Sequence, residues 1–135
     1  GFDVAATFPV SIGPDPRACA DPVRPYAALY LGGMGSRQQN FYNNIARRMG
    51  FEAEARQVQD LYLDRKQREA AAAVPHEFID RTSLLGPPER IADRLGELAA
   101  VGVTTVNVSP YGATVEDRVE SLRVLVGAVE RAGLA

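Results

Sequence analysis

Two stretches of alternating side chains constrain the fold of this chain more than any other feature. From Phe2 to Ile12, bulky apolar residues alternate with small or polar ones, and Val103 to Ser109 repeats the pattern. A period of two over this length predicts β-strands. The second strand lies between a helical pattern that stops at Gly102 and another helical pattern, an order typical of parallel α/β sheets. Strands with one bulky face and one small polar face suit a (β/α) barrel, with helices outside and a pocket inside.

The region between the two strands reads as a series of helices. Pro16 to Leu31 is predicted to be helical, although Pro22 and Pro25 should kink or split the helix. The run Gly32-Gly33-Met34-Gly35 then interrupts the pattern, because several glycines cost too much backbone entropy inside a regular element. Further helices are predicted at about 37–49, capped by Ser36, and at about 52–63 and 65–74, with a short helical turn at 75–80.

The last two helices carry clear boundary signals. Pro87 and Pro88 predict a helix start, and Thr114 with Asp117 forms a capping-box pattern. Because apolar residues recur at helical spacing, we expect one stripe of each helix to face the core. These stripes are Ile91, Leu95, Leu98 and Ala99 in the first helix, and Val115, Val119, Leu122, Val126 and Val129 in the second.

Composition and charge exclude several classes of protein. The 135 residues are 46% hydrophobic and 24% charged, which suits one globular domain. The net charge is -2 and the charges are interspersed, so we expect neither a nucleic-acid partner nor a membrane partner. No apolar run is long enough to span a bilayer, and no signal-peptide pattern is present. Cys19 is the only cysteine, so we expect no disulfide and a cytoplasmic location.

Two parallel strands cannot close a barrel, and a parallel pair is normally buried within a larger sheet. The chain also begins at Gly1, with the strand pattern starting at Phe2. We therefore expect an α/β fold in which residues 1–135 form the C-terminal part of a TIM (β/α)8 barrel. It would comprise two parallel strands and several helices, including a helical insertion, while the N-terminal strands are absent. The alternative is a self-standing, mostly helical interaction domain without enzymatic activity.

The glycine break has two interpretations. Gly33, Met34 and Gly35 precede Ser36 and Arg37, so consecutive backbone amides near a helix start could bind an anion with help from the arginine. However, the segment lacks the spacing of a P-loop and does not directly follow a strand. A tight corner between two helices also explains the glycines and is the better-supported interpretation. The sequence leaves both interpretations open, with the corner preferred.

A second candidate surface lies at the end of the C-terminal strand. By parity, Asn107 and Ser109 point to the inner, polar side of a barrel, where they can offer hydrogen bonds to a ligand. The alternative is that they only satisfy each other or water. His76 is the only histidine and has no cysteine or paired carboxylates near it in the sequence, so we predict no metal site. Cys19 lies between alanines and is predicted to be a small buried apolar residue.

Three segments together resemble a known family. They are ALYLGGMGSRQQNFYNNIARRMGF, QDLYLDRKQREAAAAVPHEFID and SLLGPPERIADRLGELAAVGVTTVNVSP. In order and spacing they are similar to the C-terminal portion of the bacterial luciferase-like flavin/deazaflavin superfamily, and most of all to its F420-dependent oxidoreductase branch. The glycine break and the block Asn40-Phe41-Tyr42 narrow the resemblance to that branch, whereas the C-terminal segment is typical of the whole superfamily.

The resemblance implies a TIM barrel in which Phe2 to Ile12 is the seventh strand and Thr105 to Ser109 the eighth. It implies a parent enzyme, expected to be a homodimer, that passes hydride between coenzyme F420 and a small organic substrate. An FMN-dependent monooxygenase of the same fold is the alternative. The candidate cofactor contacts are Gly33, Met34, Gly35, Asn107 and Ser109. Catalytic acid and base residues are expected in the missing strands, so we expect the isolated segment to be inactive and to bind cofactor weakly.

Overall fold

A computed structural model describes all 135 residues. The strands are β1 (Ala5–Ile12), β2 (Leu84–Gly86) and β3 (Thr105–Pro110). The helices are α1 (Pro16–Ala20), α2 (Arg24–Ala28), α3 (Phe41–Arg48), α4 (Glu52–Leu63), α5 (Gln67–Ala73), α6 (His76–Arg81), α7 (Pro88–Ala100) and α8 (Val115–Arg131). A 3-10 turn (Asp21–Val23) precedes α2, and a π-helix (Leu29–Gly33) follows it. The chain divides into two compact units: a sheet unit, residues 1–21 with 82–135, and a helical unit, residues 22–81.

The sheet unit contains three parallel strands in the order β2-β1-β3. The two strands predicted from the sequence are confirmed as parallel neighbours, paired from Ala5 with Thr105 to Val10 with Pro110. The first strand is shorter than predicted, because it begins at Ala5 and Phe2 is 98% exposed. The prediction of only two strands is wrong, since β2 pairs with the other side of β1. A strand of three residues is too short to show a period of two.

One face of the sheet forms the core of this unit. Because alternate residues of a strand point to opposite faces, Phe8, Val10 and Ile12 share a face with Val106 and Val108 of β3. These side chains pack into one apolar cluster with residues of α7 and α8, namely Ile91, Ala92, Leu95, Leu98, Leu125, Ala128, Val129 and Ala132. The predicted core stripe of α7 is therefore largely confirmed. Along β1 and β3 the opposite face carries small and polar side chains, whereas Leu85 of β2, paired with Ser11, is buried on it.

The predicted inward face of α8 is wrong for four of its five residues. Val129 packs on the core as expected, but the other four remain exposed, namely Val115, Val119, Leu122 and Val126. The helix instead buries Leu125 and Ala128. The predicted start is confirmed, because the Thr114 side chain accepts from the Asp117 amide and the Asp117 carboxylate accepts from the Thr114 amide. Since α8 has apolar residues on two sides, helical spacing alone could not choose between them.

The N-terminal ends of β1 and β3 are joined by side-chain hydrogen bonds. The hydroxyls of Thr104 and Thr105 both donate to the Asp3 carboxylate, and the Val4 amide donates to Thr104 Oγ1 at 2.8 Å. The hydrogen bond from Thr104, and then that from Thr105, holds the pKa of Asp3 below its ordinary value, because both stabilise the charged form. Asp3, Val4 and Thr104 are exposed and Thr105 is only partly buried, so these groups fix the strand register without forming a core.

The helical unit begins where the first predicted helix divides. The expected interruption at Pro22 and Pro25 is confirmed: α1 passes into the 3-10 turn, then into α2 and the π-helix. The predicted helix at 37–49 begins later than expected, because Asn40 rather than Ser36 is the N-cap of α3. Ser36 Oγ instead accepts a hydrogen bond from the Gln39 amide and closes a separate turn. The predicted helix at 52–63 is confirmed with the same bounds by α4.

Candidate functional site

The polar face of the sheet carries two of the predicted site residues. Asn107 and Ser109 lie on β3 and are exposed, as the alternation of the strand predicts. The register sets Thr7 beside Asn107 and Pro9 beside Ser109, and paired residues of parallel strands project from the same face. Thr7 is also exposed. Thr7 is not among the site residues predicted from the sequence, although its odd position in the alternating strand is a sufficient signal.

The chemistry of this polar face is that of neutral hydrogen bonding. The amide of Asn107 offers donors and an acceptor, and the hydroxyls of Thr7 and Ser109 can act in either role. Towards the C-terminal end of the sheet, Ser11 is buried and Pro110 is partly buried. The Tyr111 amide donates to the Val10 carbonyl at 2.8 Å, which continues the pairing one residue past β3. The face can therefore orient a polar ligand but supplies no charged group from these residues.

The glycine break, which includes the predicted site residues Gly33, Met34 and Gly35, forms a close contact with α4. A Cβ atom added at Gly32 would lie 2.4 Å from the Cβ of Tyr62, and one at Gly33 would lie 2.6 Å from Cε1 of the same ring. Real Cβ atoms do not approach other atoms so closely, so the π-helix can rest against Tyr62 only where side chains are absent. At Gly35 an added Cβ would lie 2.0 Å from the Gln39 carbonyl oxygen. The preferred interpretation, a tight helix–helix corner, thus accounts for these glycines.

Two buried asparagines hold this corner together. The Asn40 amide nitrogen donates to the carbonyls of Tyr30 and Leu31 at 3.1 and 3.2 Å, and its oxygen accepts from the Asn43 amide at 2.9 Å. The Asn43 side chain donates to the carbonyls of Leu31 and Ala55, both at 2.8 Å. These bonds satisfy backbone oxygens in the π-helix and link it to α3 and α4.

In the sequence the asparagine block contributes only to the family resemblance, and this structural role is not predicted. The available signal was the spacing of three between Asn40 and Asn43, which is the distance between an N-cap and the backbone amide it caps.

The charged groups near the glycine break do not favour the binding of an anion. Arg37, which the sequence suggested as a source of positive charge, forms an ion pair with Asp60, and its other terminal nitrogen lies 3.8 Å from Asp64. Two carboxylates therefore accompany the single guanidinium beside the turn that follows Gly35. Gln59 of α4 is 2% exposed and donates to the Ser36 carbonyl at 3.2 Å, which fixes this turn. The guanidinium of Arg37 is therefore already paired and does not offer a bound phosphate an unpaired positive charge.

The two remaining candidate residues, Cys19 and His76, lie in helices α1 and α6. Cys19 is buried, as predicted, and its Sγ lies 3.0 Å from where a Cβ at Gly13 would be. His76 is the first residue of α6, and its Nδ1 atom is buried without a hydrogen-bond partner.

No group of three or more His, Cys, Asp or Glu side chains is arranged to hold a metal ion. None of the helices is both long and apolar enough to cross a membrane.

Comparison with known proteins identifies the family. The model of the luciferase-like monooxygenase family matches residues 1–105, which contain the glycine break, the asparagine block and α7. The chain belongs to this family. The expected family resemblance is therefore confirmed. No solved structure gives a significant match to the chain.

A curated relative gives a more specific comparison than the family model does. The chain is 32% identical over 125 residues to a protein of Mycobacterium tuberculosis that is provisionally named a coenzyme F420-dependent oxidoreductase. The match covers 93% of this chain but only 35% of the relative, so the chain spans about a third of the length of that protein.

Proposed function

We propose that this chain is part of an oxidoreductase that passes hydride between coenzyme F420 and a small organic substrate. The observation that carries the proposal is the 32% identity, over 93% of the chain, with a relative whose name specifies coenzyme F420. The polar face of the sheet, with Asn107 and Ser109, is the surface assigned to the cofactor. The catalytic acid and base residues are assigned to no position in this chain.

The proposal places the three strands in a (β/α)8 barrel of a longer polypeptide. Three features support this placement. Helices α7 and α8 cover one face of the sheet, while polar residues of β1 and β3 lie on the other, as in a barrel with outer helices and an inner ligand site. The outer strands β2 and β3 each pair on one side only, which leaves open edges. The chain also spans only about a third of its relative.

The residues of the polar face fit a deazaflavin. Such a cofactor presents ring carbonyls, a ring N–H and the hydroxyls of its sugar-like chain, all of which pair with amides and hydroxyls. When bound, it supplies the hydride carrier, while Asn107, Ser109 and Thr7 would hold and orient it. The corner at Gly33, Met34 and Gly35 does not favour the phosphate, because the Arg37 guanidinium is paired with Asp60 and lies 3.8 Å from Asp64.

A titration of the longer protein with F420, followed by cofactor fluorescence, tests the proposal. We expect saturable binding to the longer protein and weak or no binding to the 135-residue chain. Asn107→Ala and Ser109→Ala should each weaken binding roughly 5- to 10-fold, the value of one lost hydrogen bond. Asn44→Ala is the control, because Asn44 is an exposed asparagine of α3.

The outcomes separate the function from the site. If the longer protein does not bind F420, the proposed function is wrong. If it binds F420 but neither Asn107→Ala nor Ser109→Ala weakens binding, only the assignment of the polar face is wrong. Tight, stoichiometric binding by the 135-residue chain would contradict the expectation that most cofactor contacts lie outside it.

An FMN-dependent monooxygenase is the second candidate, and the description of the matching family as luciferase-like monooxygenases favours it. The same titration with FMN distinguishes the two, because each cofactor has its own absorption spectrum. Preference for FMN, with oxygen-dependent turnover, would replace the first proposal with the second. The parallel sheet and the family match both argue against the non-enzymatic helical domain that the sequence left open.

A further inference from the structure

We draw no further inference here: the strongest candidate, the exposed stripe of Val115, Val119, Leu122 and Val126 along α8, is an unpartnered apolar face, and nothing in the structure shows what covers it.

Discussion

The sheet unit and the helical unit bury different kinds of side chain. The core of the sheet unit is an apolar cluster between the sheet and helices α7 and α8. The helical unit also buries three amide side chains, Asn40, Asn43 and Gln59, each 2% exposed or less. Apolar burial depends on area and has no direction, whereas a buried amide is tolerated only where its hydrogen bonds are made. The two units therefore differ in how strictly the sequence position of a buried side chain determines which side of its helix faces the interior.

This difference explains the orientation of two helices. In α8, apolar residues on two sides compete for one core, and the side with Leu125 and Ala128 is buried while Leu122 remains exposed. In α3, the directional bonds of Asn43 decide the orientation even though Phe41 is left 69% exposed. Hydrogen bonds to buried backbone carbonyls thus outweigh the gain from burying one more aromatic side chain.

The largest expected effect tests the apolar core of the sheet unit. Leu125→Ala should lower the free energy of unfolding by about 3 kcal/mol, because it removes a buried side chain and leaves a cavity. Leu122→Ala, three residues earlier on the same helix, should cost less than about 1 kcal/mol, since this side chain is already 40% exposed. Urea unfolding, with amide hydrogen exchange to assign the signal to the sheet unit, measures both. Equal costs would contradict the orientation of α8.

The next effect tests the hydrogen-bonded corner of the helical unit. Asn43→Ala should cost roughly 2 kcal/mol, because it leaves the buried carbonyls of Leu31 and Ala55 without these partners. Asn44→Ala is the matched control: it makes the same chemical change at an exposed position and should be neutral or slightly stabilising, because alanine favours a helix. The same unfolding and exchange measurements apply. If Asn43→Ala is as harmless as Asn44→Ala, the contrast between the two units fails.

The sequence was most informative where one local signal determined the structure. Alternation predicted β1 and β3, prolines predicted the divided first helix, and the capping box predicted the start of α8. The sequence was least informative where contacts between distant residues determined the structure. The short strand β2 is defined by its pairing with β1, and the buried face of α8 is determined by the shape of the core.

The same limit applies to the candidate site. Parity placed Asn107 and Ser109 on the exposed polar face, but the role of Arg37 depended on Asp60 and Asp64, which follow it by more than twenty residues. No pattern confined to the glycine break could have revealed that these carboxylates lie beside it.

The smallest expected effect concerns the exposed polar bonds of the sheet unit. The Thr104 and Thr105 hydroxyls lower the pKa of Asp3 in the folded chain, so the charged carboxylate contributes stability above its unfolded pKa of about 3.8. This contribution is lost as the pH falls through the lower, folded pKa. Thr104→Val should therefore raise the pKa of Asp3 towards its ordinary value, which NMR titration of the carboxylate carbon can measure. Thr114→Val, which removes a hydroxyl elsewhere in the same unit, should leave that pKa unchanged. Because Asp3 is exposed, the change in unfolding free energy should be far smaller than for Asn43→Ala; a comparable loss would mean that polar contacts govern both units.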